Sequence, residues 1–267
     1  MKRSGYVWKG CCLLALLLFL LVTGCVSHVQ QLREAQDEFN RGATLENEIR
    51  FDPRKADAAA LGNVTASYRL ALNALNDLTN QKREELEKDN LIGVAYTLKA
   101  LAEWRLGDYA ATLDTVNAAK DYPQGVLYPR DRILLMALRG LVKNDQAFKL
   151  MVDKKGSYEQ IKTLLTEALQ NIDEVMPALA PGDNLRVYLT MARLGVLKNW
   201  QDLRASPDIP RPASFNAAGE RKAWCQHLRP SWDDFEKEMN GLSSEGAKDA
   251  KTWWRARLNA EALCPSE

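Results

Sequence analysis

The sequence predicts an all-α fold for the part of the chain that follows its first 24 residues. Three observations carry this prediction. Apolar residues recur at spacings of three and four along most of the chain, helix-capping residues and short turns separate these segments, and no alternating run of β-branched residues occurs. The rest of the chain, rich in leucine and alanine with dispersed charge, agrees with a packed helical core.

The first helices are predicted on either side of Asp52-Pro53, a dipeptide that interrupts a helix. Before it, a polar stretch reads as a tether that runs into a first helix with apolar residues at Leu32, Ala35 and Phe39. After it, the spacing predicts a helix over 56–83 whose buried face holds seven residues. These are Leu61, Val64, Tyr68, Ala71, Leu72, Leu75 and Leu78.

Two further helical patterns, over 91–106 and 109–120, are separated only by Gly107-Asp108. So short a connection requires antiparallel packing, and the sequence therefore predicts a helical hairpin that Pro123 and Gly125 end.

In the second half of the chain, prolines and capping residues again mark where helices begin and end. Pro129 begins a helix, Ser157 and Gln160 form a capping box for the next one, and Asp183 is a cap for a helix over 185–203. The segment 206–212 holds three prolines and predicts a boundary. Beyond it, helices are predicted over 221–228, 231–242 and 247–263, with Ser231 as a cap and Asp234 as its partner.

The first residues have the order of an export signal. Lys2, Arg3 and Lys9 precede an apolar run of 13 residues over 11–23, whereas a membrane-spanning helix needs about 20. The stretch from Leu21 to Cys25 reads Leu-Val-Thr-Gly-Cys and resembles the lipobox of bacterial lipoproteins. The resemblance implies that residues 1–24 are cleaved and that Cys25 carries diacylglycerol and a further acyl chain. The alternative is a plain cysteine beside an ordinary signal-peptidase site.

This resemblance implies a location as well. Residues 25–36 would form a lipidated tether, and the several acyl chains on Cys25 would anchor the protein stably to a membrane. The residue after the cysteine is Val26 rather than aspartate, which is similar to the outer-membrane sorting pattern. We therefore expect an outer-membrane lipoprotein that faces the periplasm.

Two cysteines remain after such processing, Cys225 and Cys264. In an oxidising periplasm they are candidate disulfide partners. The alternative is two separate buried thiols.

One segment is similar to a tetratricopeptide repeat. Its family-like positions are Tyr96, Ala100, Gly107, Tyr109, Leu113, Val116 and Ala119. The resemblance implies antiparallel helix pairs stacked as a tetratricopeptide-like α-solenoid over 37–205, followed by a smaller carboxy-terminal helical segment over 213–267. Such folds bind peptide segments or partner domains. The alternative is an isolated helical hairpin.

The sequence contains few residues that indicate catalysis or metal binding. The only histidines are His28 and His227, and no nucleophile, phosphate-loop or zinc motif occurs. Without the first 24 residues the chain has 33 basic and 35 acidic side chains, so a nucleic-acid partner is not expected. The acidic residues alternate with lysine and arginine, as on a solvated helix face. We expect no catalytic residue, no metal and no cofactor apart from the lipid on Cys25.

Four of the seven tryptophans lie close to the two cysteines in the sequence. They are Trp224, Trp232, Trp253 and Trp254. The cluster is either a small core or an aromatic interface.

The function expected from these features is that of a non-enzymatic helical scaffold. It would bind a protein partner in envelope assembly, secretion or transport. One alternative is a small-ligand-binding lipoprotein associated with a solute transporter, and a less favoured one is a peptidoglycan hydrolase, which would need paired carboxylates.

Overall fold

A computed structural model of the chain describes residues 27–51, 53–122, 129–242, 245–258 and 264. In these ranges the regular structure is helical and contains no strand, which confirms the predicted all-α class. The helices pack in neighbouring pairs, as in a helical-repeat fold. The signal segment over 1–24, Cys25, Pro123 and Gly125 lie outside the described residues.

The chain divides into two compact units between Leu106 and Gly107. Among the described residues, the first unit contains four helices and a 3-10 turn over Pro53–Lys55. The helices are α1 (His28–Phe51), α2 (Ala58–Gln81), α3 (Arg83–Lys88) and α4 (Ile92–Arg105). Helix α2 packs against both α1 and α4, so it is the central element of this unit.

Contacts between α1, α2 and α4 fix their directions. The rings of Phe39 and Tyr68 lie 5.4 Å apart, and the Tyr68 hydroxyl donates to Glu46 at 2.7 Å. Because α1 and α2 pack along each other and only a short connection joins them, the two helices are antiparallel. His28 at the start of α1 contacts Asp89 just before α4, and Arg105 at the end of α4 contacts Glu46. Helix α4 therefore runs in the direction of α1.

The start of α1 differs from the tether assigned to residues 25–36. The helix begins at His28, and within it Leu32 and Ala35 are only 6% and 1% exposed. These two apolar side chains fall on the face that α1 presents to its neighbours, so burial orders a segment whose composition is otherwise polar. Residues 28–36 therefore belong to the folded unit.

The second unit contains α5 (Tyr109–Ala119), α6 (Pro129–Asp153) and α7 (Tyr158–Val175), followed by a 3-10 turn over Met176–Ala178. It continues with α8 (Asn184–Ala205), α9 (Ala217–Asn240) and α10 (Glu245–Leu258). Helix α6 packs along α7, α8 packs on α7 and α9, and α10 contacts α8 and α9. The predicted caps are present, since Ser157 accepts from the Gln160 amide and Asp183 from the Leu185 amide.

The proline segment 206–212 lies inside the second unit. Helix α8 ends before it and α9 begins after it, yet the two helices pack against each other. The segment separates helices as expected, and the compact units divide elsewhere in the chain.

Helix α9 corrects the sequence prediction of two helices over 221–228 and 231–242. It is continuous and contains Pro230. Ser231 is not a cap, because its hydroxyl donates back to the His227 carbonyl at 2.8 Å. Proline removes a single amide donor and disfavours a helix interior, but here Trp224, Leu228 and Phe235 bury one face on both sides of it.

Candidate functional site

The outward side of α2 carries an apolar groove. It has a volume of about 580 Å³ and is open along one helix. Its lining residues are Leu61, Gly62, Thr65, Ala66, Arg69, Leu70 and Asn73. Leu61 and Leu70 are 50% and 54% exposed, although leucines elsewhere on α2, such as Leu75 and Leu78, are fully buried. Large apolar side chains that are exposed together indicate a surface that binds another molecule.

The shape of the groove follows from small residues. A methyl group placed on Gly62 would meet no atom within 4 Å, and Ala66 lies one turn further along the same side. Leu61 and Leu70 border this low strip. Another backbone can approach closely at Gly62 and Ala66, because neither residue has a side chain longer than a methyl group.

Arg69 gives the groove its charge. The side chain is exposed and its guanidinium forms no ion pair with another described residue. An unpaired arginine beside apolar side chains is suited to a carboxylate on a bound segment.

The helical spacing does not predict this surface. It predicts Leu61 on the buried face of the helix, whereas the structure places Leu61 at the exposed edge. Leu70, nine residues further on, lies half a turn around the helix from Leu61 and forms the other border of the groove. A signal was present in the sequence, since Leu70 falls outside the stripe that predicts the buried face.

The strongest candidate for chemistry is a cluster around Arg193, which is 7% exposed. Its Nε lies 2.8 Å from Oδ1 of Asp173. The two groups form an ion pair, but their geometry is not that of a hydrogen bond. Its Nη1 donates to Asp234 at 2.7 Å. The cluster joins α7, α8 and α9, and Asp234 is here a partner of Arg193 rather than of a helix cap.

Burial raises the pKa of the Asp173 carboxyl, although the charges of Arg193 and His227 act in the opposite direction. A carboxyl group with a raised pKa is one requirement of a glycosidase acid. Arg193, however, is in ion contact with both carboxylates, Asp173 and Asp234. The arrangement is that of an ion cluster that fixes three helices.

A second buried ion pair, between Arg186 and Glu238, binds the backbone of the turn before α8. Glu238 on α9 is 3% exposed and accepts from the Gly182 amide at 2.8 Å and from Arg186 at 2.6 Å. Arg186 also donates to the carbonyls of Met176 and Leu179. The pair thus supplies partners for backbone groups that follow α7.

Cys225 and Cys264 are joined by a disulfide, with 5.7 Å between their Cα atoms. Cys225 lies on α9 and Cys264 lies beyond the end of α10. The bond therefore holds the carboxy-terminal part of the chain to α9.

The four tryptophans have different environments. Trp224 is fully buried and donates to the Leu197 carbonyl at 2.8 Å, so it belongs to the core. The rings of Trp232 and Phe235 are tilted against each other, with 5.4 Å between their centroids. Trp253 is half exposed and meets Trp254 edge-on at 4.8 Å. Trp224 thus fits the core alternative, and an aromatic interface stays a prediction that the exposed Trp253 leaves open.

The repeat-like residues fall on both sides of the boundary between the units. Tyr96 and Ala100 are buried in the first unit. In the second, Gly107 has a φ of +77°, Tyr109 begins α5, Leu113 is half-buried and Ala119 is buried. Gly107 is suited to this turn because a positive φ strains other residues.

No cluster of three or more potential metal ligands occurs in the part of the chain that the structure describes. Within the same ranges, no helix combines the length and apolar character needed to cross a membrane.

Comparisons with known proteins add no family. No protein-family model, no curated protein and no solved structure matches this chain.

Proposed function

We propose that this protein is a lipid-anchored lipoprotein of the outer membrane that faces the periplasm and acts, without catalysis, as a helical scaffold for another envelope protein. The observation that carries the proposal is the exposed apolar groove on α2. The anchor is supported by the resemblance of residues 21–25 to a lipobox.

The occupant that best suits the groove is an amphipathic helix of the partner. The lining residues extend from Leu61 to Asn73, which corresponds to about 18 Å of helix. At Gly62 and Ala66 the backbone of the partner helix can approach α2 closely, and Leu61 and Leu70 offer apolar contacts on either side. Arg69 adds a requirement for an acidic residue on the partner helix. A small-ligand site would instead be an enclosed cavity with converging polar groups, and this groove is open along a single helix.

Site-specific crosslinking tests the docking surface. A photoreactive residue replaces Leu70 in the full-length, lipidated protein, and irradiation is carried out in native membranes. We expect one predominant envelope-protein adduct whose crosslinked segment, mapped by mass spectrometry, is an amphipathic helix with an acidic residue. Arg69→Glu should abolish the adduct, and exchange of the partner's acidic residue for arginine should restore it.

The matched control places the photoreactive residue at Val152 on α6, which is 61% exposed. It should not give the same adduct. The docking proposal is wrong if Leu70 and Val152 give the same products, if Arg69→Glu leaves the adduct unchanged, or if no adduct forms.

A separate experiment tests the anchor. Cys25→Ser should release the protein from the membrane fraction or block its processing, while circular dichroism of the folded part stays unchanged. Mass spectrometry of the unaltered protein should show acyl chains on Cys25. A correctly cleaved Cys25→Ser product that remains in the membrane would contradict the anchor.

A further inference from the structure

The first turn of α1 is fixed on the folded unit. Ser27 accepts from the Gln30 amide through its hydroxyl at 3.2 Å and from the Gln31 amide through its carbonyl at 3.0 Å. The Nε2 atom of His28 lies 2.7 Å from Oδ2 of Asp89. The described part of the chain therefore has no flexible spacer between Ser27 and the body of the unit.

Asp89 belongs to a tight connection between α3 and α4. Asn90 has a φ of +58°, and the Leu91 amide donates to the Leu86 carbonyl at 2.8 Å. The start of α1 and the segment 82–91 thus share one end of the unit, which we call the amino-terminal pole. Glu46 and Arg105 lie in contact near the other end.

The length of chain that connects Cys25 to this pole is short. Three residues can span at most about 11 Å, whatever path they follow. Acyl chains on Cys25 would lie in the bilayer and hold that residue at its surface. The Cα atom of His28 would then lie within about 11 Å of the lipidated residue.

The surface of the pole is suited to lipid headgroups rather than to hydrocarbon. Lys82 pairs with Glu85 and Arg83 with Glu87, both at exposed positions. Mixed, hydrated ion pairs are stable beside polar headgroups and would be costly in the apolar layer. Among the described side chains of α1, the one large apolar side chain that is exposed is Val29 in the first turn, so this part of the helix has no apolar stripe with which to lie flat on a membrane.

We propose that the amino-terminal pole rests on the phospholipid headgroup layer and that α1, α2 and α4 project from it. This inference rests on the proposed lipidation of Cys25. The groove on α2 would then begin about 12 Å from the pole, at Asn73, and end about 30 Å from it, at Leu61. A partner helix would accordingly be bound close to the membrane surface and away from the lipid itself.

Crosslinking to lipids tests this orientation. Full-length, lipidated protein is reconstituted in phosphatidylethanolamine vesicles that contain a headgroup-photoreactive analogue. After irradiation, lipid adducts are mapped by mass spectrometry. We expect adducts in the first turn of α1 and in segment 82–91, and their absence from residues 61–73 and from the end that holds Glu46 and Arg105.

The control variant carries about twelve Gly/Ser residues between Ser27 and His28, which add a mean reach of about 20 Å. It keeps the anchor and should lose the adducts at the pole. The orientation is wrong if the insertion leaves the adduct pattern unchanged, or if adducts concentrate on residues 61–73. Failure of the anchor itself gives a different result, because the protein would lack acyl chains and would not remain with the vesicles.

Discussion

Arg186 and Glu238 form an ion pair whose Nε and Oε1 atoms lie 2.6 Å apart, with the two side chains 16% and 2% exposed. The pair links α8 to α9 and supplies hydrogen bonds to the backbone at Met176, Leu179 and Gly182. Its burial means that either partner alone would be an uncompensated charge, which leads to the first prediction.

Glu238→Ala should lower the free energy of unfolding by about 3 to 5 kcal/mol, because Arg186 loses its buried counter-charge. The matched control is Glu236→Ala on the same helix. Glu236 pairs with Arg255 at 3.0 Å in a more exposed setting, so its loss should cost about 0 to 1 kcal/mol. Urea unfolding measures both, and equal costs for the two variants would contradict a special role for the buried pair.

Asp173 should make stability depend on pH. Burial raises its folded-state pKa above the ordinary value of 3.8, so the folded protein binds more protons than the unfolded chain between the two values. Stability contributed by this group is therefore largest at low pH and falls as pH rises from 3.8 through the folded-state pKa.

The variant that tests this is Asp173→Asn, and the control is Asp233→Asn on α9, because Asp233 is exposed. The difference in unfolding free energy between the native protein and Asp173→Asn should fall with increasing pH over this window. A difference that rises with pH would show that the pairing with Arg193 outweighs burial.

The disulfide should stabilise the second unit through its effect on the unfolded chain. The two cysteines are 39 residues apart, and a loop of this size corresponds to about 4 kcal/mol on the chain-entropy estimate. Cys225→Ser with Cys264→Ser should lower the urea midpoint by a corresponding amount and make it insensitive to reductant. Reduction of the native protein should give a similar loss, and two free thiols in the oxidised protein would refute the bond.

Two glycine substitutions of identical chemistry should have opposite effects. At Gly140 in α6, a methyl group would lie 2.7 Å from the Ala168 carbonyl oxygen and 2.9 Å from Cγ1 of Ile172. Gly140→Ala should therefore destabilise the α6–α7 contact by about 1 to 3 kcal/mol. Gly62→Ala meets no neighbour within 4 Å and should stabilise α2 by up to about 1 kcal/mol. Urea unfolding measures the change in the free energy of unfolding for each variant. Changes of the same sign would contradict the packing described for these two glycines.

Several local features followed directly from the sequence because they depend on nearby residues. The helical period of the apolar stripe fixed α2 to within two residues of its ends, and Ser157 and Asp183 begin their helices as caps. These features require only backbone hydrogen bonds and short-range spacing.

Features that depend on distant neighbours could not be derived in this way. The side chains of Arg193 and Glu238 are buried because partners from other helices meet them, and their sequence positions alone suggest solvated charges. The continuous path of α9 through Pro230 depends on packing on both sides of that residue.

The helical class of this protein and the extent of α2 could be derived from the sequence alone, whereas the anchor at Cys25 stays a prediction. Which apolar residues stay exposed depends on how the helices pack, since Leu61 and Leu70 form a groove only because α1 and α4 cover other sides of α2. The start of α1 at His28 likewise depends on packing, because contact with Asp89 and the burial of Leu32 order a polar segment. Periodicity is a local property of a chain, whereas burial is shared between residues far apart in sequence.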